Sequence, residues 1–479
     1  MEKTTQIAVI ASPGFSHLVP ILEFSKRLVH LHPDFHVTCI VPAFGSHSPS
    51  SIACLQSLPS NIHYILLQPI PKERISQPDI LAFQIEGTVT LSLPYIHNEL
   101  KSMKSRDGLA AFVVDIFAVD SLAFASELNV FSYIYLPQAA MVFSLYYYSL
   151  LLDETVSSEF RDLKEPVEIP GCLPIHGRDL PTVFQDRSSS AYKMFLERSR
   201  KFSLADGVLF NSFEELEPET IRSLREEIQG KNKTTKKKKP QFFPVGPIIQ
   251  SGSSNDTNGS DRFDCLIWLN NHPPKSVLYV SFGSGGTLSQ DEINELAHGL
   301  ELSETRFLWV LRSPSKVSSA AYLDTSNQNP LDFLPKGFLE RTKERGLVIP
   351  SWAPQIPILR HGSVGGFLSH CGWNSTLEGI VHGVPFIPWP LFAEQRMNAV
   401  LLTNGLKVAV WPKVNDNKNG IVEKEDIAEA IRRLMMEGEE SNEIRARIHA
   451  LKLEAVRALK EDGPSTVTLS VFADSLREK

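Results

Sequence analysis

With 479 residues, 42% hydrophobic and 22% charged, the chain has an ordinary globular composition and room for about two to four domains. A formal net charge of −7 makes nucleic acid and anionic membrane surfaces poor partners. Five cysteines (Cys39, Cys54, Cys172, Cys265, Cys371), far apart and without C-x-x-C, argue against a disulfide framework or a cysteine-rich zinc site and point to a reducing, cytoplasmic compartment.

The chain opens with IAVIASPGFSHLVPILEFSKRL, residues 7–28. The apolar run is too short for a signal peptide and is broken by Pro13-Gly14. It reads as a strand, a turn and a helix whose Leu18, Ile21, Leu22 and Leu28 share a face, with Pro20 in the first turn. His17 then stands at the strand's carboxyl edge. A lone histidine there is more often a cap or a surface residue. To act as a general base it needs a carboxylate partner. In HLHPDFH (30–36), His32 and His36 have a metal-like spacing that Pro33 spoils, so no metal is expected. Apolar runs follow at 36–42 and 62–68. AAFVVDIF (110–117) then ends a buried run with Asp115, a costly placement unless the carboxylate is paired. Asp120 falls to the following helix. His17 and Asp115 are therefore the candidate catalytic pair.

VFSYIYLPQAAMVFSLYYYSLLL (130–152) is long enough to span a bilayer. Pro137-Gln138 divides it into a strand and a buried helix, so no membrane span is expected. A strand at 207–213 closes the first series. The lysine-rich stretch 231–241 reads as a solvated loop, the sequons at Asn232, Asn255 and Asn258 carry little without a secretory signal, and PVGPIIQ reads as an extended linker. These divisions give a first domain over 1–248, a linker over 249–261, a second domain over 262–455, and a helical tail over 456–479 that packs back on the first domain.

Further apolar runs follow at 276–284, 306–312, 346–352, 364–370, 385–390 and 406–412, again alternating with helical patterns. Continuous apolar strands alternating with helices mean parallel sheets covered on both faces, with ligands at the strands' carboxyl ends. SFGSGGTLS (281–289) is a glycine-rich βα turn with Ser284 and Thr287, but it is neither G-x-G-x-x-G nor a Walker loop. A plain tight turn explains it as well as a phosphate cradle does. The box from Trp352 to Gln395 is richer. His370 ends a strand, Gly372 turns the chain, and Trp373, Asn374 and Ser375 begin a helix, a seat for a phosphate or pyrophosphate. Glu378, one turn in, suits the paired hydroxyls of a ribose, Trp352 offers a face for a base, and Glu394-Gln395 suit a sugar. Cys371 beside His370 lacks further ligands for a metal and reads as packing. No D-x-D pair occurs to carry a metal-bound diphosphate.

The box resembles the signature of plant family 1 UDP-dependent glycosyltransferases: WAPQ, HCGWNSTLE, GVPF and FAEQ stand in the family's order and spacing. PGFSHLVP, VVDIF, FNSFEELEP, PVGP and SFGSGGTLS extend the resemblance over the whole chain. IPGCLPIHGRDLP and FLPKGFLERTKERGLVIPSWAPQ make it most similar to the phenol, hydroquinone and monolignol glucosyltransferases. The resemblance implies an α/β GT-B fold, two Rossmann-like domains with parallel sheets facing across a cleft. The first would take a small aromatic acceptor and the second UDP-glucose, with no further cofactor, in a monomer. It makes His17 the base and Asp115 its partner. It places uracil on Trp352 and the Ala353 backbone, and ribose on Gln355 and Glu378. Ser284, His370, Gly372, Asn374 and Ser375 would hold the diphosphate, and Trp373, Glu394 and Gln395 the sugar. Two positions depart from the family pattern. Ser16 precedes His17 where G-x-G-H is usual, and Gln138 replaces a threonine that helps contact the sugar, which leaves donor choice open. Attack through carbon or nitrogen, a non-catalytic nucleotide-sugar binder and an epimerase remain alternatives.

Overall fold

A computed structural model describes residues 4–75, 81–229, 240–250, 264–319, 328–413 and 420–477. The three sequons, nearly all of the lysine-rich stretch and most of the expected linker lie outside the described residues. The chain divides into two compact units. Met1–Arg178, Val183–Gln250 and Ala455–Lys479 form one, and Asp179–Thr182 with Ser251–Glu454 form the other.

The first unit carries a seven-stranded sheet in the order β3-β2-β1-β4-β5-β6-β7. Its strands are β1 Thr5–Ile10, β2 Phe35–Val41, β3 Ile62–Leu66, β4 Ala111–Asp115, β5 Phe131–Leu136, β6 Gly207–Phe210 and β7 Gln241–Pro244. Every neighbouring pair is parallel. The second unit carries β8 Val277–Ser281, β9 Arg306–Leu311, β10 Gly346–Pro350, β11 Val364–Ser369 and β12 Phe386–Pro388, in the order β10-β9-β8-β11-β12 and also all parallel. Both orders reverse once, between β1 and β4 and between β8 and β11. Helices diverge to opposite faces at such a switch point and leave a crevice outside the carboxyl ends of the two strands.

The central strands are buried end to end, as their unbroken apolar runs require. In the first unit Ile7, Val9, Val113, Tyr133 and Tyr135 pack with Phe24 of helix Phe15–Leu31 and with Leu469, Phe472, Ala473 and Leu476 of helix Pro464–Arg477. Arg477 of that last helix pairs with Asp34 at 2.7 Å. The stretch 130–152 divides as expected into β5 and helix Ala140–Thr155. Among the described residues no helix is long and apolar enough to cross a membrane, and no group of three His, Cys, Asp or Glu could hold a metal ion.

Three local expectations need correction. The apolar run at 406–412 is not a strand. A π-helical turn, Leu401–Gly405, draws in the amides of Leu406 and Val408, and Lys407 at φ 53° breaks the extended path. Only a bridge from Phe386 to Ala409 remains. Conversely, Gln241–Pro244, just before the expected linker, pairs with β6 and closes the sheet's edge as β7. Pro20 lies in the second turn of its helix, not the first, because the helix begins at Phe15 directly after Gly14.

Candidate active site

Gly14, at φ 112°, turns the chain from β1 into helix Phe15–Leu31, a conformation that favours glycine. His17 sits in the helix's first turn, its amide donating to Gly14 O at 3.2 Å. Ile10 of β1 lies opposite Val114 of β4, so the next residue, Asp115, arrives at the same switch point. His17 Nδ1 donates to Asp115 Oδ2 at 2.8 Å. Ser12 Oγ and the Phe117 amide, the latter at 3.1 Å, donate to Asp115 Oδ1. Burial by itself would raise the Asp115 carboxyl. The His17 charge and the hydrogen bonds from His17, Ser12 and Phe117 outweigh it and hold the group below the usual carboxylate range. With a carboxylate on Nδ1, the imidazole carries its basic lone pair on Nε2. Phe117 sets its ring against the imidazole at 5.0 Å, edge to face. The His17 side chain remains 18% exposed while Asp115 is fully buried.

The second unit builds its site at its own switch point. Gly283, at φ 72°, turns the chain after β8, and His370 follows β11. A Cβ on Gly283 would stand 2.5 Å from His370 Cε1, and one on Gly372 would stand 2.5 Å from His370 Nε2. The two glycines therefore make the space that the imidazole fills. Burial, and then the charge of Arg312, depress His370 to about 4, so the ring is neutral at physiological pH. Its Nδ1 is buried and has no hydrogen-bond partner among the described residues. Helix Trp373–His382 starts from Gly372 with no side-chain cap. The nearby helix Gln290–Ser303, by contrast, is closed by a full Ser289–Glu292 capping box. An uncapped helix start carries about half a positive charge and suits an anion.

Beside that helix start, Gln355 Nε2 donates to Ser375 Oγ at 2.8 Å and to Glu378 Oε2 at 2.7 Å, and Gln355 Oε1 accepts from the Tyr279 hydroxyl at 3.3 Å. Burial pushes Glu378 up to about 7, with the Gln355 hydrogen bond pulling the other way. Trp352 follows β10 and is 63% exposed, an unusual state for so large an apolar side chain, while Ala353 behind it is buried. Gln395 is buried, and its Oε1 accepts the amides of Leu391 at 2.8 Å and Phe392 at 3.0 Å. Glu394 is the half-buried N-cap of helix Gln395–Val400. Ser284 is exposed on the glycine-rich turn, whereas Thr287 is buried and donates to Val317 O at 2.9 Å as part of the scaffold. Trp373, expected to face the sugar, has its side chain packed inside the protein, so the residue presents mainly backbone at the helix start.

A family model described as UDP-glucoronosyl and UDP-glucosyl transferase matches residues 255–451. The chain is 47% identical to a hydroquinone glucosyltransferase of Rauvolfia serpentina, over 99% of this chain and 98% of the relative. It is 46% identical to UDP-glycosyltransferase 72B1 of Arabidopsis thaliana, over 98% and 96%. The chain belongs to the UDP-dependent glycosyltransferases. Solved structures agree. Phytolacca americana UGT2 complexed with UDP-2fluoro-glucose and pterostilbene matches with a TM-score of 0.87 at 40% identity, over 99% of this chain and 100% of that one. A UDP-glucosyltransferase from Polygonum tinctorium capable of glucosylating indoxyl, in complex with 3,4-dichloroaniline, matches with a TM-score of 0.89 at 43% identity, over 99% of each chain. The fold of this UDP-glycosyltransferase is therefore GT-B.

Three residues that shape the two sites of this UDP-glycosyltransferase escape a reading of the sequence. Ser12 sits where β1 runs into its turn, a small polar residue like many others, and its bond to Asp115 spans 103 positions. Arg312 ends the RFLWVLR run beyond β9, at the edge where ligands bind, and that placement was a usable signal. Asn398 reaches back to donate to the Cys371 carbonyl at 2.9 Å, for which the sequence holds no cue. Cys371 itself is fully buried and pushed up to about 12 by burial, which keeps it a thiol and leaves it to packing.

Proposed function

We propose that the protein transfers glucose from UDP-glucose to a hydroxyl of a small aromatic acceptor, a phenol, phenylpropanoid or flavonoid, with inversion at the anomeric carbon. The observation that carries this reading is the His17–Asp115 pair, since a protein that merely held a nucleotide sugar would need neither group. His17 Nε2 takes the acceptor's hydroxyl proton while Asp115 stabilises the imidazolium that forms. The freed oxygen attacks the anomeric carbon from the face opposite UDP, a new C–O bond forms, and the bond to the phosphate oxygen breaks. The charge that gathers on UDP meets the uncapped start of helix Trp373–His382, with Ser284, Asn374 and Ser375 alongside. His370, neutral, serves as a hydrogen-bonding group, and the full positive charge nearby is that of Arg312.

In this assignment Trp352 stacks on uracil and the Ala353 backbone pairs with it, Gln355 and Glu378 hold the ribose, and Glu394 and Gln395 read the glucose with their side chains while Trp373, its indole buried, faces it with backbone only. The aromatic ligand and the 2-fluoro-glucose donor in the Phytolacca americana complex support this substrate class. All five cysteines are free thiols, in keeping with a cytoplasmic enzyme.

The test is His17→Ala assayed with UDP-glucose and a panel of phenols, alongside calorimetric titration with UDP. Loss of transfer by at least about a hundredfold with UDP affinity unchanged is the expected result. Retained transfer removes the base from the mechanism. An unsubstituted chain that binds UDP yet forms no glucoside with any acceptor removes the reaction.

A further inference from the structure

We propose that Asn398 is a positioning residue that keeps the diphosphate seat in shape by holding Cys371 in a left-handed backbone conformation. The proposal rests on the reading that residues 370–375 receive the diphosphate.

Cys371 has φ 61°, a region that residues other than glycine occupy reluctantly. Such a conformation persists only where the surroundings over-determine it. Here its amide donates to Ser369 Oγ at 3.2 Å, and its carbonyl accepts from Asn398 Nδ2 at 2.9 Å. The left-handed residue makes the chain double back between His370 and Gly372, so that a Cβ on Gly372 would lie 2.5 Å from His370 Nε2. That reversal brings the imidazole and the uncapped helix start together.

Asn398 is fully buried, and its Oδ1 has no hydrogen-bond partner among the described residues. Burying an unpaired amide oxygen is unfavourable, and an apolar side chain of the same size would avoid it. The amide therefore stands there for what its Nδ2 does. Asn398 lies on helix Gln395–Val400, which begins with the sugar-reading pair Glu394-Gln395. One hydrogen bond thus ties the sugar-reading helix to the phosphate-holding turn.

The experiment titrates the full-length protein with UDP and, separately, with uridine, which lacks the phosphates. It compares the unsubstituted chain with Asn398→Ala, Asn398→Asp and the double variant Asn398→Ala/Cys371→Gly, each checked for folding by its melting transition. Asn398→Ala raises the UDP Kd about tenfold and leaves the uridine Kd unchanged. Asn398→Asp keeps the side-chain shape but replaces the donor by an acceptor and shows the same selective loss. Glycine adopts positive φ at little cost, so the double variant returns UDP affinity to within about threefold of the unsubstituted chain. The donor KM of Asn398→Ala rises more than its kcat falls.

Equal weakening of UDP and uridine, no weakening of either, or no recovery in the double variant overturns the positioning role. If the unsubstituted chain binds UDP no better than uridine, the diphosphate seat itself is wrong, a failure visible before any variant is made.

Discussion

Glu378 shows most directly how one side chain's surroundings set a measurable property of the protein. Burial raises it to about 7, so it is largely protonated below neutrality and a carboxylate above. Two neighbouring ribose hydroxyls donate best to a carboxylate, so nucleoside affinity should rise as the pH climbs from about 6 to about 8 and then level off. Titration with uridine, which carries no phosphate to ionise in that range, checks this, and Glu378→Gln should flatten the profile. A flat profile in the unsubstituted chain would remove Glu378 from the ribose site. At this scale the sequence was readable where a polar residue ends a buried strand. His17 and Asp115 stand out because each follows an apolar run at its carboxyl end. Ser12 and Asn398 do not, because their roles consist of single bonds to residues distant in sequence.

Among the elements, two helix starts in the second unit behave in opposite ways. Helix Gln290–Ser303 satisfies its own first turn with Ser289 and Glu292, whereas helix Trp373–His382 begins uncapped at a glycine. Ser289→Ala should therefore cost about 1 kcal/mol of stability in urea denaturation and leave UDP affinity intact. Gly372→Ala should weaken UDP binding and cost stability as well, because its Cβ would run into the buried His370 ring at 2.5 Å. Equal effects on UDP binding from both would mean that the cap difference has no bearing on the anion. Strand positions were legible as apolar runs, since central strands of a parallel sheet are buried on both faces. The misreading at 406–412 shows the limit of that signal. Apolar density there reflects burial at the end of a π-helical turn, and neither that turn nor the left-handed Lys407 leaves a mark in the hydrophobic pattern. β7 was hidden for the converse reason, being four residues long and ending in proline.

Across the whole molecule, the alternation of strands and helices was enough to give the fold class, and the switch points then mark in each unit the crevice at which sheets of this kind bind ligands. The last helix, Pro464–Arg477, belongs to the first unit although it follows the second in sequence. Phe472 anchors it, fully buried and set edge-on to Tyr133 at 4.9 Å. Phe472→Ala should cost about 3–5 kcal/mol in urea denaturation, and a loss below about 1 kcal/mol would contradict that packing. Five of the six tryptophans are buried or half-buried, and Trp352 alone is strongly exposed. If a nucleobase stacks on that indole as proposed, it would cover the most exposed of the six tryptophans and should quench red-shifted emission. On the proposed assignment, the protein would carry its own optical gauge of donor occupancy, one that needs no label.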